Sequence, residues 1–170
     1  GRAEVHTYLA SHGDLQSWWR FLDKHIEAGR QAYVIAPRVS TDEPSEVASV
    51  ESLYESLRTD TLTHRSVALL HGRMSGAEKA PTLRDFAAGQ TQVLVATTVV
   101  EVGIDVPNAT LMTILDADRL GLSQLHQLRG RVARGSHPGY VTAVGTKGTE
   151  LDNPRLKAFE KSDDGFELAE

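Results

Sequence analysis

The sequence contains no cysteine, and it has no apolar run near the roughly 20 residues that a membrane-spanning helix needs. The missing cysteine excludes a disulfide scaffold, a thiolate nucleophile and a cysteine-ligated zinc site. No charged-then-apolar segment of the signal-peptide kind stands near the first residues. We therefore expect a soluble intracellular protein with no membrane partner.

The length of 170 residues, with 40% hydrophobic and 24% charged residues, indicates one globular domain rather than a disordered chain. A net charge of −5 argues mildly against a protein whose whole surface is basic and binds nucleic acid. The charge is uneven, however: residues 41–60 hold six acids and one base, whereas residues 119–137 hold four arginines, two histidines and no acid. Such a positive strip suits a local phosphate site, although arginines clustered by chance on a solvated helix are the alternative.

Short apolar runs alternate with longer amphipathic ones along the chain. The pattern predicts strands at Val5–Leu9, Ala32–Ala36, Val67–Leu70, Val93–Ala96, Leu111–Leu115 and Tyr140–Val144. It predicts helices at Asp14–Ala28, Val47–Leu57, Ser75–Ala88, Leu122–Arg134 and Pro154–Lys161, with Pro81 expected to kink or delay the third helix. Because the strand runs are continuously apolar, we predict an α/β fold with a mostly parallel sheet and helices on both faces.

The strongest chemical signal is the segment from Gln127 to Arg134. On the predicted helix, Arg131 and Arg134 share one face because they are three residues apart, and Gln127 lies one turn earlier. Guanidinium groups remain charged and match phosphate oxygens, so the pair predicts a site for a nucleoside triphosphate. A surface arginine pair bound to nearby carboxylates is the alternative.

A second signal follows the strand Val93–Ala96, where Thr97 begins a loop that reaches Pro107. Ligands of parallel sheets bind outside the carboxyl ends of the strands, so threonine hydroxyls there suit a sugar-phosphate backbone. Gly103 permits close backbone approach and Asp105 can accept hydrogen bonds from a ribose. We expect the arginines to face the sheet edge that carries this loop; a plain loop with an Asx turn is the alternative.

The third signal is His71-Gly72-Arg73, directly after the strand Val67–Leu70. It suggests another backbone-phosphate contact, and a histidine that merely anchors its loop is the alternative. The chain contains no GxxxxGK[ST] loop and no Asp-Glu pair at the end of an apolar strand, and it shows no metal-ligand spacing. We therefore expect no metal site in the chain and no appreciable ATP hydrolysis by the chain alone.

The three segments, in this order, resemble the second RecA-like domain of superfamily 2 helicases. The stretch from Asp118 to Arg131 is similar to DNA translocases of the RecG and Mfd type, and residues 155–170 favour the RecG type. The resemblance implies a three-layer RecA-like lobe over residues 1–150 and the start of a helical extension over residues 151–170. We expect the chain to be a piece of a longer polypeptide.

The resemblance also implies roles for individual residues. Arg134 corresponds to an arginine finger and Arg131 to a second catalytic phosphate contact. The implied nucleotide-binding residues are Gln127, Gly130, Gly103 and Asp105. The implied DNA-binding residues are Thr97, Thr98, His71, Gly72, Arg73, Pro37 and Arg38. The residues implied to couple ATP turnover to translocation are Arg119, Gln124 and Arg129.

Further implications concern cofactors and partners. ATP and Mg²⁺ are held mainly by the first RecA-like lobe of the same polypeptide, and the substrate is duplex or branched DNA such as stalled forks and Holliday junctions. We expect a bacterial, cytoplasmic, nucleoid-associated enzyme whose isolated second lobe is monomeric and inactive. The chain departs from the family pattern at Ala133, where glycine is usual. An Mfd lobe and a non-catalytic α/β nucleic-acid-binding module remain alternatives.

Overall fold

The computed structural model describes residues 4–37, 44–97, 105–132, 135–148 and 151–162, with the backbone alone for residues 44–48. The strands are β1 (Val5–Ala10), β2 (Gln31–Ile35), β3 (Val67–Leu70), β4 (Val93–Ala96), β5 (Ala109–Leu115) and β6 (Gly139–Val144). The α-helices are α1 (Leu15–Glu27), α2 (Pro44–Ser56), α3 (Gly76–Ala87), α4 (Leu122–Arg129) and α5 (Pro154–Lys161). Single turns of other helix types lie at His12–Asp14, Leu57–Thr61 and Ala117–Arg119.

The six strands form one sheet in the order β1-β6-β5-β2-β4-β3, and each neighbouring pair runs parallel. Side chains of α1 and α2 pack on one face of the sheet, and side chains of α3, α4 and α5 pack on the other. Every residue of β2 and β4 is buried, which explains why these strands are apolar without alternation. The predicted α/β class, with a parallel sheet between two helical layers, is confirmed.

Helix α3 begins where its capping residues place it, despite the proline inside it. The Ser75 N–H donates to Glu78 Oε1 at 2.9 Å, and the Glu78 N–H donates to Ser75 Oγ at 3.2 Å. This reciprocal pair satisfies two amides of the first turn. Pro81 lies exposed in the middle of the helix, so the predicted delay of the helix start is wrong. The proline removes only its own amide from the hydrogen-bond pattern, and the cap stabilises the turn before it.

Helix α4 is shorter than the sequence pattern predicts. It ends at Arg129 rather than at Arg134. The chain then tightens, since the Arg131 N–H donates to the Leu128 carbonyl at 2.9 Å. Gly130 still has helical dihedrals (φ −59°, ψ −21°) and its N–H donates to the His126 carbonyl at 2.9 Å, so the helical pattern is lost from Arg131 onward; glycine weakens a helix at this position. Residues 133 and 134 lie outside the described part of the chain.

Helix α5 belongs to the same core as the sheet. Its Leu156 and Phe159 side chains have no exposed surface, and both pack in the cluster that contains Leu125 and Leu128 of α4. The division of the chain into residues 1–150 and 151–170 stays a prediction. Among the described helices, none has both the length and the apolar character needed to cross a bilayer.

Candidate functional site

All strands point the same way, so their carboxyl ends lie along one side of the sheet and their amino ends along the opposite side. We call these two sides the carboxyl edge and the amino edge. At the carboxyl edge, Ile35 and Leu70 are each in register with Ala96, so the residues that follow β2, β3 and β4 lie side by side. The Thr97 N–H donates to the Leu70 carbonyl at 3.3 Å, and Thr97 is only 6% exposed. Pro37 is buried at the end of β2. This edge therefore brings together Pro37, Thr97 and the loop that begins at His71.

The His71 side chain is fixed by contacts with its own loop and with α2. The Nδ1 atom of His71 accepts from the Arg73 N–H at 3.2 Å, and its Nε2 atom lies 3.8 Å from Glu51 Oε1 on α2. Only 12% of the His71 side chain is exposed, whereas Gly72 and Arg73 are exposed. These contacts match the loop-anchoring alternative for His71, and they leave the Gly72 backbone and the Arg73 side chain at the surface of the edge.

At the amino edge, two chain segments pack against each other at β5 and β6. The segment from Asp105 to Ala109 leads into β5, and Asp105 is exposed. A Cβ atom on Gly135 would lie 3.0 Å from the Pro107 carbonyl oxygen, so the backbones of the two segments meet closely at this glycine. The chain that follows Arg131 therefore packs on the chain that follows Asp105.

The prediction that the arginine side chains face the edge with the threonine loop stays a prediction, because Arg134 lies outside the described residues; the backbone after Arg131 does not favour it. Thr97 lies at the carboxyl edge, whereas the segment after Arg131 contacts Pro107 at the amino edge. The reason is geometric: β4 and β5 are both parallel to β2, so the chain between them must cross from one edge to the other. The predicted loop thus contributes its Thr97 end to one edge and its Asp105 end to the other. Thr98 and Gly103 lie outside the described residues.

The described part of the segment from Gln127 to Arg134 lies in the last turn of α4 and in the turn that follows it. Gln127 is exposed, and Gly130 and Arg131 are half-buried in the turn after the helix. Because α4 ends at Arg129, the argument that Arg131 and Arg134 share one helical face is wrong. Arg134 and Arg38 are outside the described part of the chain, so their predicted roles stay predictions.

The three predicted coupling residues have different environments. Arg119 is exposed beside the carboxyl edge, and Gln124 Oε1 accepts from the Gly121 N–H at 2.9 Å and so caps α4. Arg129 is only 3% exposed. Its Nη1 donates to Thr7 Oγ1 and to the Phe159 carbonyl, each at 3.0 Å. Arg129 therefore lies in the core, where it joins α4 to β1 and α5.

Sequence reasoning assigned no role to Asp118, although it lies within the stretch that carries the resemblance. Its carboxylate accepts from the Thr146 N–H at 2.9 Å and from the Thr146 hydroxyl at 2.8 and 2.9 Å. Its carbonyl accepts from Arg155 Nη2 at 2.8 Å. Asp118 thus fixes the loop that carries Arg119 to β6 and α5. An acid between an apolar strand and a helix was the only signal in the sequence.

Asp105 offers an exposed carboxylate, Gln127 an exposed amide and Arg131 a guanidinium, which are groups that bind ribose and phosphate. In the described ranges, no group of three or more histidine, aspartate or glutamate side chains is placed to hold a metal ion.

Comparison with known proteins places this geometry in a family. Residues 15–136 match the helicase conserved C-terminal domain. The ATP-dependent DNA helicase RecG of Bacillus subtilis (strain 168) is 42% identical over 170 residues, which is 100% of this chain and 25% of that protein. RecG of Streptococcus pneumoniae serotype 4 is 43% identical with the same coverage. The chain therefore spans about a quarter of the length of the curated relatives it matches.

Solved structures agree with the sequence match. RecG bound to a three-way DNA junction superposes with a TM-score of 0.78 and 38% identity, over 99% of this chain and 22% of that one. Domain 2 of the DEAD-box helicase Mss116p bound to an RNA duplex superposes with a TM-score of 0.62 and 16% identity, over 82% and 53%. The second likeness concerns the fold alone, and together the two confirm the predicted RecA-like architecture. The chain belongs to the helicase conserved C-terminal domain family.

Proposed function

We propose that this chain is the second motor lobe of an ATP-dependent, RecG-type translocase that moves on duplex DNA and remodels branched DNA. One observation carries the proposal. The segment that begins at Thr97 on the carboxyl edge reaches Asp105 on the amino edge, next to the chain that follows Arg131. The predicted DNA-binding residues at the carboxyl edge and the predicted nucleotide half-site (Asp105, Gln127, Gly130 and the Arg131 segment) are thereby joined within one lobe. Relatives of this chain are named RecG.

In this proposal the amino edge is the nucleotide side. Asp105 holds the ribose, and Gln127, Arg131 and Arg134 face the phosphates when the first lobe closes on this one. Hydrolysis of bound ATP supplies the free energy of movement. The first lobe of the same polypeptide supplies the phosphate loop and most ligands of Mg²⁺, because this chain contains neither a GxxxxGK[ST] loop nor a strand-end Asp-Glu pair.

The carboxyl edge is the DNA side of the lobe. Arg73 is exposed there and suits contacts to backbone phosphates, which position a protein on DNA without reading its sequence. Thr97, only 6% exposed, begins the predicted DNA-binding segment at the same edge. Arg119 follows β5 at this edge, and Gln124 lies in the first turn of α4. Because both edges are built on one packed sheet, a rotation that closes the amino edge on a nucleotide also moves the carboxyl edge along DNA.

We extend the proposal to the cell and to partners. The relatives are bacterial proteins named as DNA helicases, which fits an enzyme of the bacterial cytoplasm that works at the nucleoid. The first RecA-like lobe is the expected permanent partner of the amino edge. Isolated from it, the chain is expected to be monomeric and to bind ATP weakly.

The decisive experiment measures ATP hydrolysis by the full-length protein with and without branched DNA. Replacement of Arg131 or Arg134 by alanine should lower DNA-stimulated hydrolysis by about 10³-fold or more, since arginine fingers contribute on this order. Binding of the same DNA should persist, because the DNA edge is untouched. The matched control is Arg20→Ala, an exposed arginine on α1 in the opposite helical layer. Hydrolysis near the wild-type rate in both finger variants would refute the proposal.

A further inference from the structure

Two side-chain amides form a network at the amino edge that no motif indicated. Gln31, at the start of β2, is only 4% exposed. Its Nε2 donates to the Phe86 carbonyl at 2.7 Å and to the Thr91 carbonyl at 2.8 Å. Its Oε1 accepts from Asn108 Nδ2 at 3.0 Å. The polar atoms of this buried glutamine are therefore satisfied, and one of them is satisfied by Asn108.

Asn108 connects the network to the loop before β5. Its Nδ2 also donates to the Gly29 carbonyl at 2.8 Å, just after α1. Its own carbonyl accepts from the Gln31 N–H at 2.9 Å. The Ala109 N–H donates to the Val106 carbonyl at 2.9 Å, which closes a tight turn around Pro107 and Asn108. The side chain of Asn108 thus ties this turn to β2 and to the end of α1.

The tied turn supports both described parts of the nucleotide half-site. Asp105 directly precedes it, and the Pro107 carbonyl within it is the atom against which Gly135 packs. A displacement of the turn would therefore shift the Asp105 carboxylate and the chain that packs on Pro107 at Gly135. Only a glycine fits this approach without adjustment, because a Cβ added at position 135 would lie 3.0 Å from the Pro107 carbonyl oxygen.

We infer that Asn108, held by Gln31, is a positioning residue for the nucleotide half-site and sets how Asp105 and the Arg131 segment meet ATP. This inference rests on the proposed function. Asn108 is not assigned a contact with ATP; its effect passes through the turn from Val106 to Ala109.

The chain offers a matched control at the same edge. Gln92, at the start of β4, accepts from the Ser66 N–H through its Oε1 at 2.9 Å, and its own N–H donates to Ser66 Oγ at 2.9 Å. This second amide also ties two chain segments together before the sheet begins. Its hydrogen bonds with Ser66 lie between β3 and β4, however, away from the turn at Pro107. A loss of general rigidity at the edge should affect both residues alike.

The test compares Asn108→Ala with Gln92→Ala in the full-length protein, with DNA-stimulated ATP hydrolysis and thermal melting measured for each. We expect Asn108→Ala to lower kcat/KM for ATP by roughly 10- to 100-fold, the size of effect that a misplacement near 1 Å can produce. Gln92→Ala should stay within about twofold of the wild type, a range typical of sites away from the reacting groups. Asn108→Ser, whose hydroxyl can donate one bond instead of two, should give an intermediate loss and serves if the alanine variant does not fold.

Equal losses of kcat/KM in Asn108→Ala and Gln92→Ala, or no loss in either asparagine variant, would overturn the inference. The failure of the proposed function is recognised separately, because Arg131→Ala would then leave hydrolysis unchanged. If Arg131→Ala impairs hydrolysis while Asn108→Ala and Asn108→Ser do not, only the positioning role is lost.

Discussion

The buried guanidinium of Arg129 makes a specific prediction about stability. The Arg129→Ala substitution removes the donor for Thr7 Oγ1 and for the Phe159 carbonyl, each at 3.0 Å in the native chain. It also removes the guanidinium that lies 4.5 Å from the centre of the Phe159 ring. Since Arg129 is only 3% exposed, water cannot readily replace these interactions.

The magnitude depends on the interactions that alanine removes and on the desolvation cost that it relieves. Hydrogen bonds from a charged group contribute about 1.5–3 kcal/mol each, and a desolvated cation–π interaction contributes about 2 kcal/mol. The native protein also bears the desolvation cost of the guanidinium, which truncation removes. We therefore expect a net loss of about 2–4 kcal/mol in the free energy of unfolding, because the Thr7 hydroxyl and the Phe159 carbonyl lose their buried donor at about 1–3 kcal/mol each.

The assay is urea unfolding of the chain, followed by far-ultraviolet circular dichroism. Arg129→Lys keeps the charge but loses the planar guanidinium, whose Nη1 serves both acceptors and whose plane lies against Phe159, so it should lose roughly half as much. Arg20→Ala, at an exposed arginine on α1, should change the free energy of unfolding by less than about 0.5 kcal/mol. A loss below about 1 kcal/mol for Arg129→Ala would show that the guanidinium does not hold α5 to the lobe, and the reasoning would be wrong.

Two further predictions concern a glycine and a helix cap. Gly139→Ala should lower the free energy of unfolding by about 1–3 kcal/mol, because the new Cβ would lie 2.9 Å from the Val132 carbonyl oxygen. The control in the same urea assay is Gly76→Ala, whose Cβ would meet nothing within 4 Å. Hydrogen bonds from Ser75 lower the pKa of Glu78 in the folded protein. The charged carboxylate therefore stabilises the fold fully at pH values above the ordinary pKa of a glutamate. This stabilisation is lost as the pH falls through the lowered pKa of the folded state. The stability difference between the wild type and Glu78→Gln should therefore be constant near neutral pH and shrink below about pH 4.3; a difference that grows on acidification would contradict this sign.

Local sequence patterns predicted most of the fold. The strands Val67–Leu70 and Val93–Ala96 and the helix Pro154–Lys161 have the predicted bounds, because turn residues or a proline flank short, unambiguous apolar runs. The β5 strand begins two residues earlier than predicted, at Ala109, because the turn closed by the Val106 carbonyl determines its start. That turn depends on tertiary contacts, which a local pattern does not contain.

The candidate site residues stay predictions, and their placement was harder to predict than the strands and helices. The sequence put Asp105 in the same loop as Thr97, whereas the structure places these two residues at opposite edges of the sheet. Edge placement depends on which strands are neighbours and on where α4 ends, and both follow from packing across the sheet. Arg129 shows the same limit: its position in an arginine-rich stretch suggests a surface role, whereas its contacts with Thr7 and Phe159 bury it.

The packing of α5 on α4 and β1 determines where the polypeptide can be cleaved or truncated without loss of stability. Leu156 and Phe159 fill space beside α4, and Glu160 Oε2 accepts from the Leu9 N–H of β1 at 2.8 Å. A protease nick or an engineered stop before Pro154 would strip this cover from β1 and expose apolar surface to solvent. Fragments intended for crystallisation or labelling should accordingly retain every residue through Ser162, and a recombinant piece that stops at residue 150 should precipitate.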